Sequence, residues 1–121
     1  MSLKFTIIIP CYNAERWLPE SINSALAQTY DNVEVIFVDN ESTDNSYQVA
    51  LEIQKSHPNL KVFTAPNLYK YSWTEPVDKA LSEAQGDYFT ILGADDYIDK
   101  DYIKNIVNII SAAPDTIQAV S

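Results

Sequence analysis

Thr6-Ile7-Ile8-Ile9-Pro10 is the stretch whose reading decides the fold. Consecutive isoleucines leave no polar face, so a strand here must be covered on both sides, the habit of a parallel sheet packed between helices. Pro10 is expected to stop it. Outward from this run, Val33-Glu34-Val35-Ile36-Phe37-Val38 reads as a second strand ending at Asp39. Leu60-Lys61-Val62-Phe63-Thr64 reads as a third, Tyr88-Phe89-Thr90-Ile91-Leu92 as a buried fourth, and Ile117-Gln118-Ala119-Val120 as the start of a fifth. Helical patterns fill the gaps. Pro19 suits a first turn, with Ile22, Ala25 and Leu26 on one face. Ser42-Thr43-Asp44 reads as a helix start capped by Ser42 or Thr43, with Val49, Ala50 and Ile53 facing the core and Pro58 ending the element. Ser72-Trp73-Thr74-Glu75 fits a capping box before a helix over residues 75–85, and Gly86 stands where a left-handed residue closes a helix. A last helix starts near Asp99 and covers residues 100–113, with Ile103, Ile106, Val107 and Ile110 inward. This alternation predicts an open, mainly parallel sheet with helices on both faces: a three-layer α/β/α domain over residues 1–121.

A chain of 121 residues is of single-domain size. Its formal charge of −9 argues against nucleic acid and anionic membrane as partners. A lone cysteine, Cys11, excludes an internal disulfide and suits a reducing compartment. It reads as a packing residue after a strand. Neither a membrane-spanning stretch nor a signal peptide is legible, so a cytoplasmic setting is expected. The only glycines are Gly86 and Gly93. That excludes both the G-x-G-x-x-G fingerprint and the P-loop. No Ser/His/Asp or Cys/His constellation can be assembled around the single histidine, His57.

What remains is acids at strand ends. Asp39 follows the second strand, and Asp95-Asp96 follow the fourth across Gly93-Ala94. In open α/β sheets ligands bind outside the carboxyl ends of the strands. Adjacent carboxylates there can hold a hard divalent cation, or can equally form a solvated turn before a helix capped by Asp99. With the first strand between the other two, Asp39, Tyr12, Asn13 and Asp95-Asp96 would converge on one crevice. Such a set suits a nucleoside diphosphate, with acids and amides on base or ribose and a cation bridging Asp96 to the diphosphate.

Ile7-Ile8-Ile9-Pro10-Cys11-Tyr12-Asn13, Ser24-Ala25-Leu26-Ala27-Gln28-Thr29-Tyr30, Glu34-Val35-Ile36-Phe37-Val38-Asp39-Asn40-Glu41-Ser42-Thr43-Asp44, Ala84-Gln85-Gly86-Asp87-Tyr88 and Leu92-Gly93-Ala94-Asp95-Asp96, in that order, resemble family 2 glycosyltransferases of the Rossmann-like GT-A fold. The resemblance covers almost the whole chain. It implies transfer of a sugar, with inversion, from a nucleotide-sugar donor, UDP-linked in many members, to a glycan or lipid-linked acceptor. It implies Mg²⁺ or Mn²⁺ on Asp95 and Asp96. It also implies a donor site made by Pro10, Tyr12, Asn13, Asp39, Asn40 and Asp95, with the Tyr12 ring near the base.

The chain departs from the family pattern in places. The usual Val-Asp-Asp-Gly-Ser reads Val38-Asp39-Asn40-Glu41-Ser42, and Gly93 replaces the first acid of Asp-x-Asp-Asp. Asn67-Leu68-Tyr69 and Pro76-Val77-Asp78 replace stretches that carry a basic contact, leaving Lys70 or Lys79 to reach the diphosphate. The resemblance places the general base and acceptor site beyond these residues. The segment alone is therefore expected to be weak or inactive, and an exposed edge near residues 117–120 is expected to favour homo-oligomers. A non-catalytic nucleotide-binding module of the same fold is the first alternative. A receiver-like signalling domain is the second, disfavoured because Thr64-Ala65 rather than an acid follows the third strand.

Overall fold

Strand β1 (Phe5–Cys11) lies between two parallel partners, β2 (Val33–Asp39) and β4 (Tyr88–Ile91), and β3 (Leu60–Thr64) extends the sheet beyond β2. The helices between them are α1 (Leu18–Leu26), α2 (Ser46–Gln54), α3 (Thr74–Glu83) and α4 (Tyr102–Ala112). The computed structural model describes residues 3–66 and 74–112. The expected capping box at Ser72 and the fifth strand at residues 117–120 lie outside them.

Every residue of β1 and β2 is buried, as continuous apolar runs require. On one face Phe5, Ile7, Ile9, Val35 and Phe37 pack against Leu18 and Ile22 of α1, Ala50 of α2 and Ile103 and Ile110 of α4. On the other, Ile8, Ile36 and Val38 pack against Ala80 of α3. The layers are therefore α/β/α, with α3 alone on its side among the described residues.

Several local expectations are corrected. Pro10 does not end β1; it sits in register opposite Val38. The Phe5 N–H donates to Asn32 and the Cys11 carbonyl accepts from Asn40, so odd residues bond to β2, while Ile8 accepts from Leu92 on the β4 side. Pro10 lacks its N–H on that second side, beyond the last paired residue of β4, where no ladder bond is lost. Strand β4 is not deeply buried: it forms an edge among the described residues, and Ile91 is 45% exposed. Gly86 is not left-handed. It is required by space instead, since a Cβ there would come within 2.4 Å of Thr6 Oγ1 and 2.8 Å of the Thr6 nitrogen.

Thr6 belongs to a buried polar knot that the apolar pattern of β2 concealed. Glu34, 3% exposed, accepts from Thr6 Oγ1 at 2.6 Å, from the Gln85 N–H at 2.6 Å and from Lys61 Nζ at 3.0 Å. Burial alone pushes its pKa up, but these donors outweigh burial and hold it below the ordinary glutamate value. The carboxylate thus ties β1, β2, β3 and the turn into β4 at the amino end of the sheet, opposite the strand ends that carry the candidate site.

Two outcomes follow for stability. Gly86→Ala is expected to cost about 1–3 kcal/mol by overpacking against Thr6, read as a lower midpoint in urea. With its pKa depressed in the folded state, Glu34 contributes stability that is complete above the ordinary carboxylate range and is lost as pH falls through its folded value. Glu34→Gln is therefore expected to be less stable at neutral pH and to lose less further stability on acidification, as measured by thermal unfolding across pH 7 to 3.

Candidate functional site at the carboxyl edge of the sheet

Because β1 lies between β2 and β4 and all run parallel, the residues after these strands meet at one edge. A cleft of about 380 Å³ opens there, lined by Pro10, Tyr12, Asn13, Trp17, Gly93 and Asp95, among others. Four expected site residues, Pro10, Tyr12, Asn13 and Asp95, thus share one cavity. Asp39 and Asn40 stand next to it, Asp39 in register with Cys11 and the Asn40 N–H bonded to the Cys11 carbonyl at 2.8 Å. Asp96 is not among the lining residues. Trp17, 48% exposed beside the Arg16 guanidinium, was not singled out from sequence. Its only signal was a large aromatic in the otherwise polar connection ahead of Pro19.

Asp39 and Asn40 are 3% and 2% exposed. Asp39 Oδ2 accepts from the Ser42 N–H at 2.9 Å, whereas Asp39 Oδ1 and Asn40 Oδ1 are buried with no hydrogen-bond partner among the described residues. Buried polar oxygens without partners are costly and call for explanation. Cys11, across the ladder from them, is inert: burial pushes its thiol up to about 11, so it stays protonated.

The loop after β2 does not begin a helix at Ser42 or Thr43. Helix α2 starts at Ser46 behind Asn45, and neither side chain caps it. Both bond across to the loop after β1 instead. Ser42 Oγ accepts from the Asn13 N–H at 2.9 Å, and Thr43 Oγ1 accepts from Asn13 Nδ2 at 3.1 Å. Asp44 takes the Ser46 N–H and Oγ–H and the Glu15 N–H, donors that outweigh its burial and hold its pKa down. Within this seam Asn13 and Glu41 adopt left-handed backbone, with φ of 51° and 56°.

The acid loop is held by α1. Ser21 Oγ donates to the Gly93 carbonyl at 3.1 Å, and Ser24 Oγ accepts from the Ile98 N–H at 3.1 Å. Gln28 donates to the Asp99 carbonyl at 2.7 Å and accepts from the Ile103 N–H at 3.0 Å, while Thr29 bonds the Asp101 carboxylate at 2.6 Å. Ser21 and Ser24 on α1, with Gln28 and Thr29 just after it, are therefore the brace of the segment that carries Asp95 and Asp96. Helix α4 begins at Tyr102, later than expected, with Asp99 Oδ2 accepting from the Asp101 N–H at 3.0 Å. Lys79 pairs with Glu83 at 3.4 Å, stands over the Phe63 ring and does not line the cleft. Lys70 lies outside the described residues.

Asp95 and Asp96 are both exposed. Among the described residues no group of three or more metal-ligating side chains comes together. Two carboxylates on a turn do not make a protein cage, but they match the donor set of Mg²⁺-type sites completed by substrate phosphates and water. The oxygen chemistry of Asp95 and Asp96 therefore suits a hard divalent ion.

Residues 6–121 match the model of glycosyl transferase family 2, and the chain belongs to that family. It is 36% identical over 105 residues to an uncharacterized glycosyltransferase of Haemophilus influenzae, covering 87% of this chain and 41% of that protein. It is 33% identical over 110 residues to the poly(ribitol-phosphate) β-N-acetylglucosaminyltransferase TarS of Staphylococcus aureus, covering 89% of this chain and 19% of that one. The chain thus spans less than half the length of these relatives. A crystal structure of TarS with UDP-GlcNAc superimposes with a TM-score of 0.78 at 31% identity, over 93% of this chain and 32% of that chain. A mannosyltransferase of Pyrobaculum calidifontis, solved with GDP-Man and Mn²⁺, superimposes with a TM-score of 0.78 at 24% identity over 92% of this chain and 33% of that chain, a likeness of fold. The expected GT-A architecture is borne out. No helix among the described residues is long and apolar enough to cross a membrane.

Glu41 carries a Cβ on its left-handed backbone, at a cost of about 1–2 kcal/mol.

Proposed function

We propose that this chain forms the donor-binding part of a glycosyltransferase that moves a sugar from a nucleoside diphosphate, UDP foremost, to a hydroxyl of a glycan or lipid-linked acceptor. The observation that carries this reading is the pair of oxygens on Asp39 and Asn40 beside the cleft, buried and without a partner among the described residues. Both are acceptors, and a nucleoside offers matching donors in an imide N–H and the ribose hydroxyls. Tyr12, 42% exposed on the cleft wall, supplies a flat apolar face for the base, and Pro10 supplies the rigid floor beneath it. TarS, similar in sequence and fold, is solved with UDP-GlcNAc, which supports UDP over other nucleotides.

The diphosphate then lies toward β4, near Asp95. Unscreened, its charge would be repelled by Asp95 and Asp96, so the two carboxylates are reasonable neighbours only for a phosphate that arrives with Mg²⁺ or Mn²⁺. Such an ion, held by Asp95 and Asp96, would offset the negative charge that grows on the leaving diphosphate. The brace from Ser21, Ser24, Gln28 and Thr29 keeps this acidic turn in place relative to β1. In the reaction the bond from the anomeric carbon to the phosphate oxygen breaks, the acceptor oxygen bonds to that carbon, and the acceptor proton passes to a general base. No residue of this cleft is assigned that base. The segment is therefore read as a binding half, weak or inactive in transfer by itself.

Calorimetric titration of the chain with UDP and UDP-GlcNAc, with and without Mn²⁺, tests the reading. Metal-strengthened binding is expected, weakened tenfold or more by Asp39→Ala, as loss of a hydrogen bond to a charged group implies. Asp96→Ala is expected to abolish the response to Mn²⁺. Absence of binding by any nucleotide, with or without metal, would overturn the proposal.

A further inference from the structure

We propose that Asn13 is a positioning residue for the donor site: it latches the loop over residues 40–45 and so sets the orientation of Asp39, rather than serving chiefly as a ligand contact. This deepens the donor-binding reading and rests on it. Asn13 sits at φ 51°, a conformation asparagine tolerates better than most residues. That backbone turn lets its side chain and its own N–H address the same neighbouring loop. Oδ1 accepts from the Thr43 N–H at 2.8 Å and the Asp44 N–H at 3.3 Å, and Nδ2 donates to Thr43 Oγ1 at 3.1 Å. The Asn13 N–H donates to Ser42 Oγ at 2.9 Å.

The next link reaches the site. The Ser42 N–H donates to Asp39 Oδ2 at 2.9 Å, leaving Oδ1 as the buried unpartnered oxygen. The chain of contacts therefore runs from Asn13 through Ser42 and Thr43 to Asp39. It crosses Glu41, whose left-handed backbone carries a cost that the surrounding contacts must hold in place. An amide suits this task because Oδ1 accepts from two main-chain N–H groups while Nδ2 and Oδ1 both reach the Thr43 hydroxyl, at 3.1 and 3.3 Å. A carboxylate at position 13 keeps the accepting part and loses the donating part, whereas glycine keeps the backbone angle and loses both.

That distinction sets the experiment, made on the 121-residue chain with UDP and Mn²⁺ as the probe. Asn13→Gly removes the side-chain bonds to Thr43 and Asp44 without straining φ and leaves the main-chain bond from position 13 to Ser42 Oγ, and Asn13→Asp retains the accepting half. Asn13→Gly is expected to speed amide hydrogen exchange at Thr43 and Asp44 by about tenfold or more and to weaken UDP by a similar factor, a disrupted seam being worth about the free energy of one such bond. Asn13→Asp is expected to leave exchange at Thr43 and Asp44 within about threefold of wild type. If Asn13 acts through Asp39, the effects are not additive. In an Asp39→Ala background Asn13→Gly should then cost less than about threefold in further affinity. A general loss of structure would move affinity equally in both backgrounds and would overturn the proposal. So would wild-type exchange in Asn13→Gly, or exchange in Asn13→Asp as fast as in Asn13→Gly. Should the wild-type chain bind no nucleotide, the donor reading fails. The latch is then judged on exchange alone, tenfold faster rates supporting it and unchanged rates overturning it.

Discussion

The parallel pairing of β1 with a neighbour on each side is the constraint on which the rest of the molecule depends. A parallel ladder needs a crossover at every step, and each crossover sends a helix over one face of the sheet. The strand ends of β2, β1 and β4 are thereby forced to one edge. Residues far apart in sequence, Asp39 beside Cys11 and Leu92 bonded to Ile8, become neighbours without any contact being designed between their side chains. The opposite edge is closed by Glu34, whose donors come from β1, β3 and the turn before β4. One end of the sheet is thus sealed by a fully satisfied charge, and the other has acceptor oxygens unmet among the described residues.

The functional edge is built from two seams of unequal kind. Between the loops after β1 and β2, short polar side chains take the place of regular structure: Asn13, Ser42, Thr43, Asp44 and Ser46 satisfy one another and the exposed main-chain groups between them. Between α1 and the acid loop, the side chains of Ser21, Ser24, Gln28 and Thr29 bond to the polypeptide around Gly93–Asp101. Both seams bind backbone more than side chains. They define where a loop runs and leave the side chains it displays available for a ligand. This division of labour accounts for the strain at Glu41, since a loop whose course is dictated by its neighbours can be held in an unfavourable conformation.

Legibility followed the range of the physics involved. Strands β1 and β2 could be read directly because burial on both faces writes a continuous apolar run. The start of α2 was harder. Ser42 and Thr43 have the chemistry of helix caps, and the same oxygens serve equally well across a loop; only the proximity of Asn13 decides between the two uses. Gly86 carried the right residue for the wrong reason. A glycine after a helix suggests a left-handed turn, but what excludes a side chain is Thr6, eighty residues away and invisible to local pattern. Glu34 hid for the same reason: its partners Thr6, Lys61 and Gln85 are separated from it by tens of residues.

By itself the sequence determined the alternation of strands and helices, the family, and which residue types stand at the strand ends, because each is written in local periodicity or in short ordered motifs. Only the tertiary structure decided what those residues do there. It left one oxygen of Asp39 and one of Asn40 buried and unmet among the described residues, set Asp95 but not Asp96 on the cleft, and committed Asn13 to a neighbouring loop. Those outcomes turn on hydrogen-bond partners brought within about 3 Å by strand order, and strand order is a property of the folded sheet rather than of any stretch of chain.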